Sequence, residues 1–169
     1  MQGRCVFISG GVRSGKSAFA EQYISQHKKQ RQPVYIASGV AFDEEMAKRI
    51  KRHQQDRQHD SWLTLEVPNT FPQTFQQLGT RHIVLWDCIT TWLTNILVDN
   101  LPVDNMLSQF KEQLQQWRTD GISVVIVSNE VLDAGVSPYE FTAHYQQLLG
   151  ELNQWLVAFC DEAYELEYG

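Results

Sequence analysis

The sequence predicts an α/β fold in which a mostly parallel sheet lies between layers of helices. Short apolar runs alternate along the chain with segments that have helical periodicity. Three of these runs, CVFIS, IVLW and VVIV, are almost continuously apolar, as is typical of parallel strands that are buried on both faces. Alternation of strands and helices in this way predicts parallel strands joined by helical crossovers.

The individual elements follow from local patterns. Apolar runs rich in β-branched and aromatic residues predict strands at residues 4–9, 33–37, 62–67, 82–87, 122–128 and 163–166. Helical periodicity predicts helices at residues 17–29, 43–57, 70–78, 91–98, 103–117 and 139–159. The connections are short except at residues 130–138. Because ligands of such sheets bind beyond the carboxyl ends of the strands, a site is expected there. The strand ends in question follow Ser9, Ala37, Trp86 and Ser128.

Composition narrows the class of protein. The 169 residues suit a single domain over residues 1–169, and 43% of them are hydrophobic. The net charge of −6 disfavours nucleic acid as a partner. No apolar run approaches the about 20 residues of a membrane span, and no signal-peptide pattern is evident. The three cysteines are far apart, which favours ordinary buried thiols over a disulfide framework or a zinc site. We therefore expect a cytoplasmic enzyme or binding domain.

The clearest motif directly follows the first predicted strand. Residues 10–17 read GGVRSGKS, which matches the phosphate-loop pattern GxxxxGK[ST] between a strand and a helix. Glycines allow successive backbone N–H groups to surround a phosphate, and the helix adds the positive end of its dipole. Lys16 would contact the β- and γ-phosphates, and Arg13 would add a second cation. The residues predicted to bind the nucleotide here are Gly10, Gly11, Val12, Arg13, Ser14, Gly15, Lys16 and Ser17.

A second strand end supports nucleotide binding. The apolar run HIVLWD at residues 82–87 ends in the carboxylate of Asp87. This is the expected place for a residue that holds Mg²⁺, directly or through water, beside a phosphate loop. We predict Ser17 and Asp87 as the metal ligands, and Lys16 and Asp87 as catalytic residues.

A charged helix at residues 43–57 permits two interpretations. Glu45, Arg49, His53 and Arg57 recur at intervals of four and therefore share one helix face. The face could be a solvated surface with weak ion pairs. Alternatively, the arginines could gather phosphate and keep His53 neutral, so that its imidazole is available as a nucleophile.

Six motifs occur together in a characteristic order. They are SGGVRSGKS at 9–17, VYIAS at 34–38, DEEMAKRIKRHQQDR at 43–57, WLTLE at 62–66, DCITTWLTNIL at 87–97 and VSNEV at 127–131. In this combination the chain resembles the bifunctional adenosylcobinamide kinase/adenosylcobinamide-phosphate guanylyltransferase family of cobalamin biosynthesis. The resemblance implies a three-layer, RecA-like P-loop NTPase fold, Mg²⁺ with GTP or ATP as substrates, and a homo-oligomer, trimeric in the family.

The resemblance also implies two reactions. In one, a nucleoside triphosphate phosphorylates adenosylcobinamide. In the other, a histidine in the position of His53 takes GMP from GTP and passes it to adenosylcobinamide phosphate, giving adenosylcobinamide-GDP. Beyond the phosphate loop, the positions that would frame the nucleotide are Ala37, Ser38, Gly39, Arg49, Gln54, Gln55, Asp56, Arg57, Glu66 and Asp87.

The C-terminal third departs from the family pattern. Ala143, Gln146, Gln147 and Glu151 stand where the family has Arg, Arg, Asp and Arg. Loss of cations there would weaken binding of a phosphorylated corrinoid. Two alternatives therefore remain, which are a small-molecule P-loop kinase with a single activity and a nucleotide-binding regulatory descendant of the family.

Overall fold

A computed structural model describes residues 2–11, 14–39, 55, 62–129 and 142–167. The strands in this part of the chain are β1 (Cys5–Gly10), β2 (Gln32–Ala37), β3 (Leu63–Glu66), β4 (His82–Asp87), β5 (Ser123–Asn129) and β6 (Glu162–Leu166). The helices are α1 (Lys16–His27), α2 (Ile89–Val98), α3 (Val103–Thr119) and α4 (Thr142–Phe159), with a 3₁₀ helix at Gln73–Gln77.

The described strands form one six-stranded sheet in the order β3-β2-β4-β5-β1-β6, and every strand pair in it is parallel. The predicted α/β fold with a parallel sheet is therefore confirmed. The most apolar strands, β1, β4 and β5, lie inside the sheet, where both faces are covered. The less apolar strands β3 and β6 form its edges.

Helices cover both faces of the sheet. On one face, Val6 and Ile8 of β1 pack with Ala20 and Ile24 of α1. The alternate residues of the same strand point to the opposite face, because side chains alternate along a strand. There Phe7 joins a larger core that contains residues of α2, α3 and α4.

Trp86 of β4 lies at the centre of the larger core and is fully buried. Its ring lies 5.3–6.2 Å from five other aromatic rings, which belong to Phe71, Phe75, Trp92, Phe110 and Trp117. Such rings each bury a large apolar area. This cluster therefore holds α2, α3 and the 3₁₀ helix against the sheet.

Several predicted limits shift by one or two residues, and two differences from the prediction have an identifiable structural context. Residues 70–78 were expected to be α-helical, but the structure has only the short 3₁₀ helix there, preceded by Pro72 in extended conformation. Helix α2 begins at Ile89, two residues earlier than expected, because Cys88 caps it and its sulfur accepts a hydrogen bond from the N–H of Thr91.

Two further expectations fall outside the described residues. These are the charged helix at 43–57, apart from the helical and exposed Gln55, and the long connection at 130–138. In the part of the chain that the structure describes, no helix combines the length and hydropathy needed to cross a membrane.

The edge strand β6 is fixed to α1 and to the start of β1 by the carboxylate of Glu162. It accepts hydrogen bonds from Nε of Arg4 at 3.2 Å, from the hydroxyl of Tyr23 and from the hydroxyl of Tyr164 at 3.1 Å. The Arg4 hydrogen bond, followed by that of Tyr23, lowers the pKa of Glu162 to about 2. The ionised carboxylate therefore stabilises the folded state.

This shift predicts a specific acid sensitivity. The stabilisation is complete above the ordinary pKa of 4.5 and is lost as the pH falls towards 2, because the unfolded chain takes up the proton first. We expect Glu162→Gln to lower the melting temperature at pH 7 and to flatten its decrease between pH 4.5 and 2. Thermal denaturation followed by circular dichroism measures both. Glu165→Gln, on the exposed side of the same strand, is the control, and equal slopes for the two variants would contradict the assignment.

Candidate active site

The phosphate loop begins where β1 ends and finishes where α1 starts. Gly15 is the N-cap of α1 and has φ 83°, in the left-handed region that favours glycine. Gly10 is needed for space, since a Cβ there would lie 2.6 Å from Oγ of Ser14 and 2.7 Å from the carbonyl oxygen of Leu166. The buried hydroxyl of Ser14 has no hydrogen-bond partner among the described residues. The loop thus holds an unused polar group at the positive end of a helix.

Lys16 is the first residue of α1 and its side chain folds back over the loop. It is only 8% exposed, and its Nζ donates a hydrogen bond of 2.9 Å to the carbonyl oxygen of Gly11. No carboxylate of the described residues lies within ion-pair distance of it. A buried cation with only a neutral acceptor favours an anionic ligand, because an opposite charge offsets its desolvation.

Ser17 and Asp87 meet across the sheet. The hydroxyl of Ser17 donates to Oδ2 of Asp87 at 3.1 Å, although the residues are 70 positions apart. They meet because β1 and β4 both pair with β5 in parallel register, so that their carboxyl ends lie at the same edge. A hydroxyl and a carboxylate are oxygen donors of the kind that Mg²⁺ prefers. The two residues fit the predicted metal site, which stays a prediction.

Tyr35 of β2 is a neighbour of Asp87 that the sequence analysis did not single out. Its hydroxyl donates a hydrogen bond of 2.8 Å to the same Oδ2 of Asp87. The ring is buried and lies edge-on to Trp62 at 6.3 Å. Two donors on Oδ2 fix the orientation of the carboxylate. The alternation of side chains along β2 predicts the face of the sheet on which Tyr35 lies. It does not predict that the hydroxyl of Tyr35 reaches Asp87.

Asn129 ends β5 between the phosphate loop and the strand of Asp87. It pairs in register with Gly10, and its N–H donates to Oγ1 of Thr90 at 2.7 Å. Thr90 in turn is held by the hydroxyl of Tyr145, which donates to its carbonyl oxygen at 3.1 Å. The position after Ser128 was expected to face a ligand, and the structure places the buried amide of Asn129 there.

Ala37 ends β2, and Ser38 and Gly39 directly follow it. The side chain of Ser38 is fully buried, donates to the carbonyl oxygen of Val67 at 2.8 Å and accepts from Nε1 of Trp86 at 2.9 Å. The hydroxyl of Ser38 therefore connects this loop to the core, and the predicted contact of Ser38 with a nucleotide stays a prediction. Ala37 is half-buried and Gly39 is exposed at the edge of the site.

Of the remaining predicted residues, Glu66 and Gln55 lie in the part of the chain that the structure describes. Glu66 ends β3 and pairs in register with Ala37. Ala37 pairs on its other side with Asp87, so Glu66 and Asp87 lie at the same edge of the sheet. The side chain of Glu66 is exposed there. Gln55 is helical and exposed. The others lie outside the described residues, and they are Val12, Arg13, Arg49, His53, Gln54, Asp56 and Arg57.

The parallel sheet, the phosphate loop and the carboxylate two strands away define a nucleotide-binding protein of the P-loop, RecA-like class. Solved structures agree on the fold. The RadB recombinase matches with a TM-score of 0.57 and 16% identity, covering 98% of this chain and 75% of RadB. A KaiC-like protein from Pyrococcus horikoshii OT3 matches with a TM-score of 0.51 and 9% identity, covering 88% of this chain and 68% of its own. These matches confirm the predicted fold class.

Comparison of the sequence with known proteins is more specific than comparison of the fold, because it identifies a family. Residues 6–169 match the family model described as cobinamide kinase / cobinamide phosphate guanyltransferase, and this chain belongs to that family of enzymes. It is 31% identical to the bifunctional adenosylcobalamin biosynthesis protein CobU of Escherichia coli K12, covering 94% of this chain and 93% of the relative. It is 34% identical to the bifunctional protein CobP of Pseudomonas aeruginosa, covering 91% and 87%. The resemblance found in the motifs is confirmed.

The hydrogen bond from Tyr35 leads to a testable prediction. We expect Tyr35→Phe to raise the Mg²⁺ concentration needed for half-maximal binding of a fluorescent GTP analogue about tenfold, since loss of an outer-shell hydrogen bond loosens a metal-binding carboxylate. Binding of the analogue without Mg²⁺ should change little. Tyr23→Phe is the matched control, because that hydroxyl contacts Glu162 instead. An unchanged Mg²⁺ dependence in Tyr35→Phe would show that Tyr35 does not position Asp87.

Proposed function

We propose that this chain phosphorylates adenosylcobinamide with a nucleoside triphosphate and transfers GMP from GTP, through a guanylyl-histidine at His53, to adenosylcobinamide phosphate. The product is adenosylcobinamide-GDP. Membership of the family supports both activities. The observation that carries the nucleotide part is the meeting of Lys16, Ser17 and Asp87 at one edge of the sheet, beside a phosphate loop.

In the kinase step, a hydroxyl oxygen of adenosylcobinamide attacks the γ-phosphate, the bond from that phosphate to the β-phosphate oxygen breaks, and the hydroxyl proton passes to solvent. Lys16 neutralises charge that develops on the transferred group, and the start of α1 directs its N–H groups to the phosphates. Ser17 and Asp87 would hold Mg²⁺, which supplies further charge neutralisation when bound. Tyr35 keeps Asp87 in place for this task.

In the second step, a ring nitrogen of His53 attacks the α-phosphate of GTP and pyrophosphate leaves. A phosphate oxygen of adenosylcobinamide phosphate then attacks the same phosphorus, and His53 is released. Dividing the transfer in this way gives each half-reaction a good nucleophile. The residues that would frame the nucleotide are Ala37, Ser38, Gly39, Arg49, Gln54, Gln55, Asp56, Arg57 and Glu66.

A kinase with a single activity is the second candidate function. One observation favours it. Ala143, Gln146, Gln147 and Glu151, which replace charged residues of the family pattern, are all exposed on α4. The amide of Gln147 donates to the carboxylate of Glu151 at 3.3 Å, so this surface is neutral to acidic where a phosphorylated corrinoid would need cations. A nucleotide-binding regulatory protein is the remaining alternative.

The cellular location, the oligomeric state and the partners of this chain are also proposals. We assign the chain to the cytoplasm as a single domain over residues 1–169 that forms a homo-oligomer, a trimer by resemblance to the family. Its partners are GTP or ATP and a corrinoid, and its net charge of −6 argues against nucleic acid.

Substitution of Lys16 tests whether both reactions use the same nucleotide site. We expect Lys16→Ala to lower both kinase and guanylyltransferase turnover by at least about 100-fold, because it removes charge stabilisation of the transferred phosphate. Steady-state assays with ATP and with GTP measure this. Lys28→Ala, beyond the opposite end of α1, should retain activity. Near-normal turnover of folded Lys16→Ala would exclude the proposed role of the loop.

His53 distinguishes the bifunctional enzyme from the alternatives. With GTP labelled at the α-phosphate, Mg²⁺ and no corrinoid, the wild-type chain should acquire acid-labile label that survives a denaturing gel. His53→Ala should not, although it should still bind a fluorescent GTP analogue. The controls are γ-labelled GTP, which should leave no label, and His27→Ala, which removes an exposed imidazole at the far end of α1.

The outcomes separate the candidates. Label on His53→Ala at the wild-type level would refute the assignment of the nucleophile. Absence of label on a wild-type chain that phosphorylates adenosylcobinamide would favour the kinase with a single activity. Absence of both activities in a chain that binds GTP would favour the regulatory protein.

A further inference from the structure

Two cysteines that are distant in the sequence meet at the amino ends of the strands, whereas the candidate active site lies at their carboxyl ends. Cys5 is the first residue of β1 and is 2% exposed, whereas Cys160 follows the last residue of α4 and is half-buried. Their Sγ atoms lie 2.6 Å apart across a sequence separation of 155 residues. Both thiols are free in the structure.

Hydrogen bonds that do not involve the thiols hold the two cysteines near each other. The N–H of Cys5 donates to Oδ2 of Asp161 at 2.9 Å, and the N–H of Asp161 donates to the carbonyl oxygen of Cys5 at 2.8 Å. On the other side, Arg118 donates to the carbonyl oxygen of Phe159 at 2.6 Å. The residues before and after Cys160 are thus fixed to α3 and to β1, and the two side chains are held facing each other.

The third cysteine occupies a different environment. Cys88 caps α2 at the opposite end of the strands, and its sulfur contacts the hydroxyl of Thr91 at 2.9 Å. Of the three cysteines in the sequence, Cys5 and Cys160 therefore form the one pair placed for an intramolecular bond.

The two thiols differ in how they can react. Attack on a disulfide requires an accessible sulfur with thiolate character. The hydrogen bond with Cys160, together with burial, raises the pKa of Cys5. Cys160 is also the more exposed of the two, so an external reagent meets Cys160 first.

We propose that Cys5 and Cys160 are a site of covalent modification, at which a low-molecular-weight disulfide such as glutathione disulfide converts the pair into an intramolecular disulfide. In the first step, Cys160 attacks one sulfur of the reagent, and one equivalent of thiol leaves with the proton of Cys160. In the second step, Cys5 attacks Sγ of Cys160, and the other equivalent of thiol leaves with the proton of Cys5. Two S–H bonds become one S–S bond, and the reagent is reduced to two thiols.

The bond would join the first strand to the junction of α4 and β6. A cross-link between residues so far apart in sequence restricts the unfolded chain strongly, and the two sulfur atoms are already in contact in the folded state. The phosphate loop lies at the other end of β1, so nucleotide binding should be unaffected. The inference is independent of the proposed function.

The test uses the full chain, treated with glutathione disulfide and then with iodoacetamide. Mass spectrometry of the intact protein should show loss of both thiol hydrogens with no glutathione retained, and peptide mapping should join the peptides of Cys5 and Cys160. The melting temperature should rise by about 5–10 °C and return to its original value after addition of dithiothreitol. Binding of a fluorescent GTP analogue should be the same before and after oxidation.

Single cysteine variants test which sulfur atom reacts in each of the two steps. Cys160→Ser should prevent the cross-link and remain unmodified at Cys5, whereas Cys5→Ser should accumulate a glutathione adduct on Cys160. Cys88→Ser is the matched control and should cross-link as the wild type does. If either single variant fails to fold, the peptide map of the wild type still decides. A stable adduct on the wild-type Cys160, a link that includes Cys88, or an unchanged melting temperature would overturn the proposal.

Discussion

Parallel pairing in register is the constraint on which the site depends. Gly10 pairs with Asn129, Val127 with Asp87, and Ala37 with both Asp87 and Glu66. The carboxyl ends of the described strands therefore lie at one edge of the sheet, and polar residues from distant parts of the chain meet there. The hydrogen bonds that Asp87 accepts from Ser17 and Tyr35 are the direct result, because Ser17 follows the loop that begins at the end of β1 and Tyr35 lies near the end of β2. A shift of one residue in any strand would turn its side chains to the other face.

The apolar core and the polar edge are joined through Trp86 and Ser38. Trp86 sits among five aromatic rings, yet its indole N–H donates to the hydroxyl of Ser38, which donates to the carbonyl oxygen of Val67. Asn95 of α2 completes the connection by donating to the carbonyl oxygens of Ser38 and Pro68, each at 2.9 Å. Buried polar groups that are fully paired specify a single arrangement. The loops after β2 and β3 are thereby fixed to the core, which orients Gly39 and Glu66 at the site.

The sequence was sufficient for the features that depend on local pattern. The run HIVLWD predicts β4 with its correct limits, because a continuous apolar strand that ends in a carboxylate has few other interpretations. The phosphate-loop spacing predicts the loop between β1 and α1, which the structure has, whereas the roles of Lys16 and Ser17 stay predictions. Local pattern failed where a contact from elsewhere decides the structure. Residues 70–78 lack an α-helix, since Phe71 and Phe75 instead pack into the aromatic core. The contact of Tyr35 with Asp87, the hydrogen bonds of the Ser38 hydroxyl and the approach of Cys5 to Cys160 depend on strand order, which single-residue patterns do not contain.

The parallel pairing of β6 with β1 has a practical consequence for experiments on this chain. Leu166 lies in register with Gly10, and its carbonyl oxygen is close enough to exclude a side chain there. The C-terminal end of β6 is thus a neighbour of the phosphate loop, whereas the N-terminal end of β1 is about 20 Å away, the length of a six-residue strand. A fluorophore or cross-linker attached near Arg4 therefore leaves the candidate nucleotide site accessible. The same addition at Glu167, which directly follows β6, would start beside that site.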